Sequence, residues 1–223
     1  MKAVLCDSNA ELIATYEVIR DRPDELMVLL DSLREQHRKE QYLSVRARRV
    51  RELDKLHIAA RFIYLNKTCW NGLYRVNSKG QFNVPVGSYK NPRIFDPENL
   101  FAASGALQNV SLRVAQFREC LDVVKAADFL YLDPPYQPLS VTSRFTSYTK
   151  DAFGEEQQAE LASVMRELHR RGCLVMLSNS DTELTRSLYA SPEFQTHTVL
   201  ARRAINSKGD KRGAIPEIVV TNF

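Results

Sequence analysis

The chain has 223 residues, of which 44% are apolar and 26% charged, and a formal net charge of +4. This is the make-up of an ordinary soluble protein, one large domain or one domain with an inserted subdomain; it excludes a disordered chain, and no run of about 18 apolar residues exists to span a bilayer. The well-separated Cys6, Cys69, Cys120 and Cys173 form no C-x-x-C pair, which suits a reducing cytoplasm and predicts no zinc or other metal site.

In chain order, the opening MKAVLCDSNA is too short for a signal peptide, and its apolar AVLC run reads as a strand ending at Asp7. Ser8 or Asn9 can cap the helix that follows, in which Leu12, Ile13, Tyr16 and Ile19 share a face. From Pro23 to about Tyr64 the pattern is helical, with Leu26, Leu29, Leu30 and Leu33 in register. Residues 34–67 hold ten Lys/Arg against four acids, and residues 200–213 hold five against one. The two clusters suit either a phosphate-rich partner or solvated faces.

Residues 66–97 change character, and the Asn71-Gly72 and Lys79-Gly80 steps suggest hairpin turns. Phe129–Leu132 reads as a short buried strand, and 155–171 as a helix with Leu161, Val164, Met165 and Leu168 on one stripe and Gly172 past its end. CLVMLSN is the next buried strand, followed by a helix capped by Ser180 or Asp181. Two closing strands flank a basic loop. Strands alternating with helices predict a largely parallel α/β sheet, made mixed by an antiparallel closing pair.

The run FLYLDPPYQP stands out. Open α/β sheets bind ligands at the carboxyl ends of their strands, where Asp133 falls. Pro134 and Pro135 stiffen the segment, remove two donors and hold Asp133 out of helical geometry. The result is a shelf bearing a carboxylate, bare carbonyls and the Tyr136 ring. An amino group on an aromatic ring is a poor nucleophile, because its lone pair is delocalised. Two acceptors on its N–H bonds steer the lone pair out of the ring plane. The same groups stabilise positive charge building on nitrogen. A proline-stiffened turn is the plainer reading of the same residues.

DPPY after an apolar strand resembles the catalytic motif of amino-group methyltransferases. With NKTCWNGLYRVNSKGQFNVPVGSYKNP, LSNSDT and RRAINSKGDKRG, essentially the whole chain resembles the Dam family of adenine-N6 DNA methyltransferases of the D12 class. The resemblance implies a Rossmann-like, mixed and mostly parallel sheet with a helical, hairpin-bearing DNA-recognition insert. The insert would be residues 23–105, between catalytic segments 1–22 and 106–223. It implies S-adenosyl-L-methionine as cofactor, double-stranded DNA as partner, GATC as target, and a cytoplasmic, nucleoid-associated location in a bacterium or phage. Asp133 and the Pro134 carbonyl would hold the adenine amine on the shelf that Pro135 completes, and Tyr136 would stack on a flipped base.

By the same resemblance Asp7 would bind the cofactor ribose, though an Asp here also serves as a helix cap. Phe117 would lie beside the cofactor adenine; Gln116 departs from the acid common there. Trp70 would wedge into the base stack, with Asn71, Leu73, Arg75, Pro85 and Tyr89 also facing DNA. Arg75 suits a guanine edge, and Leu73 and Pro85 a thymine methyl. Trp70 and Leu73 also suit core packing. Ser88 stands where some relatives carry Arg. The 202–212 loop would grip phosphate.

The family carries a further central strand, a Phe-x-Gly-x-Gly loop and a lysine-containing segment ahead of the strand that ends here at Asp7. None of the eight glycines makes a G-x-G. The sheet is therefore expected to lack its first central strand, supplied by an amino-terminal segment or partner chain. Three activities stay open: adenine methylation of DNA, DNA binding without chemistry, and methylation of protein glutamine or RNA. The basic, hairpin-rich insert argues against the third.

Overall fold

The computed structural model describes residues 3–138, 153–202 and 214–223, and the chain divides into two compact units, to Gln116 and from Phe117. No helix among the described residues is long and apolar enough to cross a membrane.

In the first unit, β1 (Ala3–Asp7) pairs in parallel with β2 (Val110–Val114), in register from Ala3↔Val110 to Asp7↔Val114. Five helices lie between them in sequence: α1 (Ala10–Asp21), α2 (Pro23–Glu35), α3 (Lys39–Ala47), α4 (Lys55–Thr68) and α5 (Pro97–Leu107). Of the two candidate caps for α1, Asn9 serves, its side chain accepting the N–H groups of Glu11 and Leu12. Asp54 and Asp96 cap α4 and α5 in the same way, and Pro23 and Pro97 sit in the first turns of α2 and α5, where a missing N–H costs nothing.

The single helical pattern from Pro23 to Tyr64 is thus broken into three helices. A continuous helix of that length would run about 60 Å and could not bury its own stripe. Folded back, α2, α3 and α4 pack Leu26, Leu30, Tyr42, Val45, Leu56, Ala59 and Tyr64 into one core with Phe82, Val84 and Ile94 of the following segment. The Lys79-Gly80 step is a hairpin turn as expected, with the Asn77 and Gln81 backbones bonded and Val76 bridged to Phe82. The Asn71-Gly72 step is not one. Both residues have positive φ inside a short 3-10 turn, Trp70–Gly72, that closes the end of α4.

In the second unit the order is β3 (Phe129–Leu132), β4 (Leu174–Ser180), β6 (Ala214–Thr221), β5 (Gln195–Arg202). β3 and β4 are parallel; β6 runs antiparallel to both β4 and β5. The closing pair is antiparallel and the fold is mixed α/β, as expected. Parallel pairing dominates less than expected: among the described residues two of the four strand pairings are parallel, because β6 runs antiparallel between β4 and β5.

Helix α6 (Glu155–Arg170) lays Leu161, Val164, Met165 and Leu168 against Val175, Leu177, Ile218 and Val220. Gly172, at φ 76°, ends it in the left-handed conformation, and the N–H groups of Gly172 and Cys173 bond back to His169 and Leu168. Helix α7 (Glu183–Leu188) is capped by Thr182 rather than Ser180 or Asp181. Ser180 belongs to β4, and the Asp181 carboxylate is held by Arg186 at 2.5 Å.

Candidate active site and nucleic-acid interface

The parallel register of β3 and β4 runs from Phe129↔Leu174 to Leu132↔Leu177. Continued by one residue it sets Asp133 beside Ser178. The Ser178 hydroxyl donates to Asp133 Oδ1 at 3.0 Å. Its single proton is committed there, so the Tyr131 hydroxyl, 2.9 Å from Ser178 Oγ, acts as donor to it. One serine on β4 thus ties strand β3, through Tyr131, to the carboxylate at its end. Burial pushes the Tyr136 phenol pKa up, keeping the ring neutral.

A second brace fixes the loop backbone. Asn179 Oδ1 accepts the Gln137 N–H at 3.0 Å, and Asn179 Nδ2 donates to Gln158 Oε1 at 3.0 Å. Gln158 Nε2 in turn donates to the Pro135 carbonyl at 3.1 Å. Asn179 and Gln158 are both fully buried. A buried amide without its partners costs about 1–3 kcal/mol, so this pair fixes the loop in one geometry. The Pro134 carbonyl accepts no hydrogen bond from another described residue, and Ser178 holds one oxygen of Asp133.

Sequence reasoning found the loop but not Ser178, Asn179 or Gln158. Their signal is polarity in apolar settings. Ser178 and Asn179 end an apolar strand, and Gln158 lies on the buried face of α6 with Leu161 and Met165.

In the first unit, Asp7 ends β1 and its Oδ1 accepts the Asn9 N–H at 2.6 Å. Burial raises its pKa, against the lowering effect of that N–H. The second carboxylate oxygen suits a hydroxyl donor such as a ribose, so the residue fits the group expected there. In the second unit Phe117 begins a short 3-10 turn and packs edge-on against Phe153, centroids 5.8 Å apart, with the Arg118 guanidinium 5.9 Å from its ring centre.

The residues expected to face DNA cluster beyond α4. Trp70 is 52% exposed and Tyr89 44% exposed, so neither is a core residue. The Trp70 N–H donates to the Pro85 carbonyl at 2.9 Å, which sets the turn beside the tip of the next segment. Asn71 and Pro85 are exposed and Leu73 is half-buried. Arg75 Nε donates to Asn83 Oδ1 at 2.9 Å across the hairpin, which orients the guanidinium.

Gly87 is required here. A Cβ would stand 2.9 Å from the Cys69 carbonyl and collide with the Tyr89 ring. Underneath, Tyr42 and Arg46 of α3 both donate to the Val84 carbonyl, at 2.8 and 3.0 Å. Arg46 and the buried Arg61 therefore hold main chain, and the basic stretch is not uniformly an outer face. The 202–212 loop, expected to grip phosphate, lies outside the described residues from 203 onward.

A mixed α/β fold with an Asp-Pro-Pro-Tyr loop at a strand's end is that expected of an amino-group methyltransferase. The family model described as D12 class N6 adenine-specific DNA methyltransferase matches residues 1–205. A type II methyltransferase, M.MjaIII, of Methanocaldococcus jannaschii is 44% identical over 234 residues, covering all of this chain and 80% of that protein. Another, M1.LlaDCHI of Lactococcus lactis subsp. cremoris, is 42% identical, with 100% and 80% covered. The DNA adenine methylase of Escherichia coli (strain K12) is 36% identical over 218 residues, 97% of this chain and 77% of that one. The chain belongs to the D12 class of N6 adenine-specific DNA methyltransferases.

Proposed function

We propose that this protein transfers a methyl group from S-adenosyl-L-methionine to adenine N6 in duplex DNA, with GATC as its target. The braced Asp133–Tyr136 loop carries this reading. Asp133 and the Pro134 carbonyl accept the two N–H bonds of a flipped adenine, Tyr136 stacks on the base, and Asp133 meets the positive charge that builds on N6. The cofactor supplies an electrophilic methyl group. Asp7 accepts its ribose hydroxyls and Phe117 packs on its adenine.

Residues 23–105 form the recognition insert and 1–22 and 106–223 the catalytic segments. Trp70 wedges into the stack; Asn71, Leu73, Arg75, Pro85 and Tyr89 contact DNA. Relatives named as type II methyltransferases and as DNA adenine methylases leave two roles for such an enzyme, restriction–modification or a solitary methylase. Its place is with DNA in the cytoplasm of a bacterium or phage-infected cell.

The test is transfer of labelled methyl to GATC and scrambled duplexes. The expected result is GATC-dependent transfer, lost at least about 10²-fold in Asp133→Ala with duplex binding retained. Equal transfer to scrambled DNA refutes the target, and near-normal turnover in Asp133→Ala refutes the catalytic assignment.

A second reading is favoured by surface on the strands. β1 and β3 each have one strand neighbour among the described residues. Val4 and Leu5 are 47% and 43% exposed, and Phe129 and Tyr131 are 58% and 56% exposed. In a mostly parallel sheet such faces are covered. On this reading the chain binds duplex DNA without turning over by itself. Duplex binding with no labelled transfer then supports it, whereas full transfer activity excludes it.

A further inference from the structure

We propose that Glu11, Arg61 and Tyr74 form a positioning node that makes cofactor binding at Asp7 and DNA reading at Trp70–Arg75 depend on each other. The inference rests on the functional reading above for what binds at each end; the wiring between the ends stands on geometry alone. Arg61, with its side chain 4% exposed, donates to Glu11 Oε2 at 2.8 Å and to the carbonyls of Val45 and Arg46 at 3.3 Å each. Glu11, 14% exposed, accepts the Tyr74 hydroxyl on its other oxygen at 3.3 Å. The Glu11 N–H is in turn held by the Asn9 side chain at 3.0 Å.

Asn9 is the hinge of the cofactor end. Its N–H holds Asp7 Oδ1 and its side chain caps α1. Tyr74 is the hinge of the DNA end. It lies between Leu73 and Arg75, and its ring packs on Phe62 and on Phe82 across the hairpin, centroids 4.9 and 5.4 Å apart. The ring cannot move without carrying the hairpin, and its hydroxyl cannot move without disturbing Glu11, whose N–H the Asn9 cap holds.

A buried ion pair is a costly way to gain stability, since desolvation offsets most of its attraction. Here it joins α1, α3, α4 and the hairpin at one point. Fixing either end therefore restricts the other, and such coupling acts equally in both directions.

The experiment compares wild type with Tyr74→Phe, which keeps the ring and removes only the hydroxyl. In wild type, saturating S-adenosylhomocysteine should tighten binding of a GATC duplex by about 5–150-fold, and the duplex should tighten S-adenosylhomocysteine by the same factor. In Tyr74→Phe both factors should fall towards one while each ligand still binds alone. An unchanged factor in the variant, or none in wild type when both ligands bind, overturns the node.

A ligand-free arm separates this from failure of the functional reading. Amide hydrogen exchange in Tyr74→Phe should speed up together at Leu12 and Ile13 of α1 and at Asn77 and Asn83 of the hairpin. Acceleration at the hairpin only overturns the wiring, even if neither ligand binds and the functional reading has fallen.

Discussion

Ser178 donates its hydroxyl to Asp133 Oδ1 at 3.0 Å, a bond set by the register of two neighbouring parallel strands rather than by any local turn. It leaves Asp133 one oxygen held and one to offer. Ser178→Ala should lower kcat by about 10-fold to 10²-fold with little change in KM for DNA, because aim is lost rather than binding. Ser178→Thr, which keeps the hydroxyl, should recover most of it. A Ser178→Ala enzyme with unaltered kcat refutes the role.

The amide brace predicts a stability effect as well as a kinetic one. Asn179→Ala strips Gln158 Oε1 of its donor and the Gln137 N–H of its acceptor, at about 1–3 kcal/mol for each group left unsatisfied. Chemical denaturation should show that loss. Gln158→Leu, by removing the polar group at one end, should cost less stability yet still reduce kcat through the freed Pro135 carbonyl.

Arg75 is oriented by Asn83, which separates reading from attraction. Arg75→Ala should weaken the target duplex by about 1–3 kcal/mol and relax choice at a single base pair. Asn83→Ala should relax choice at the same pair with a smaller loss of affinity. Equal weakening of target and scrambled duplexes by Arg75→Ala identifies a backbone contact instead.

Asp7 gives a pH dependence with a definite sign. Burial raises its carboxyl above the ordinary 3.8, so the folded protein holds that proton to higher pH than the unfolded chain does. Its contribution to stability is full below pH 3.8 and is lost as pH rises through the raised value. In the proposed role the ionised form is the one that accepts ribose hydroxyls, so S-adenosylhomocysteine affinity should rise through the same window. Asp7→Asn should flatten both profiles; a flat profile in wild type contradicts the assignment.

What was legible in the sequence was whatever is written locally. The Phe129–Leu132 strand with Asp133 at its end, the stripe of α6, the glycine that stops it and the cap at Asn9 all depend on neighbours a few residues away. The breaks in the helical run from Pro23 were not legible, because packing around Tyr42 and Tyr64 causes them. Nor were Ser178, Asn179 and Gln158, whose partners lie 45, 42 and 23 residues distant, at Asp133, Gln137 and Pro135. Likewise Arg46 and Arg61 read as surface charge until tertiary structure turned them to carbonyls and Glu11.

That inward turn changes what the basic stretch does in salt. Each phosphate neutralised releases condensed counterions, and the logarithm of affinity falls with the logarithm of salt at a slope of about 0.9 per contact. Arg46 spends a donor on Val84, and the buried Arg61 is committed to Glu11 and two carbonyls. Arg34, Arg49, Arg51 and Lys55 each have a carboxylate partner on the protein. Counterion release from this stretch is therefore drawn from a minority of its ten cations, with Arg38, Lys39, Arg48 and Lys67 foremost. Duplex binding should survive rising ionic strength better than the raw charge count implies, with more of its free energy resting on the exposed ring of Trp70 and the contacts around it.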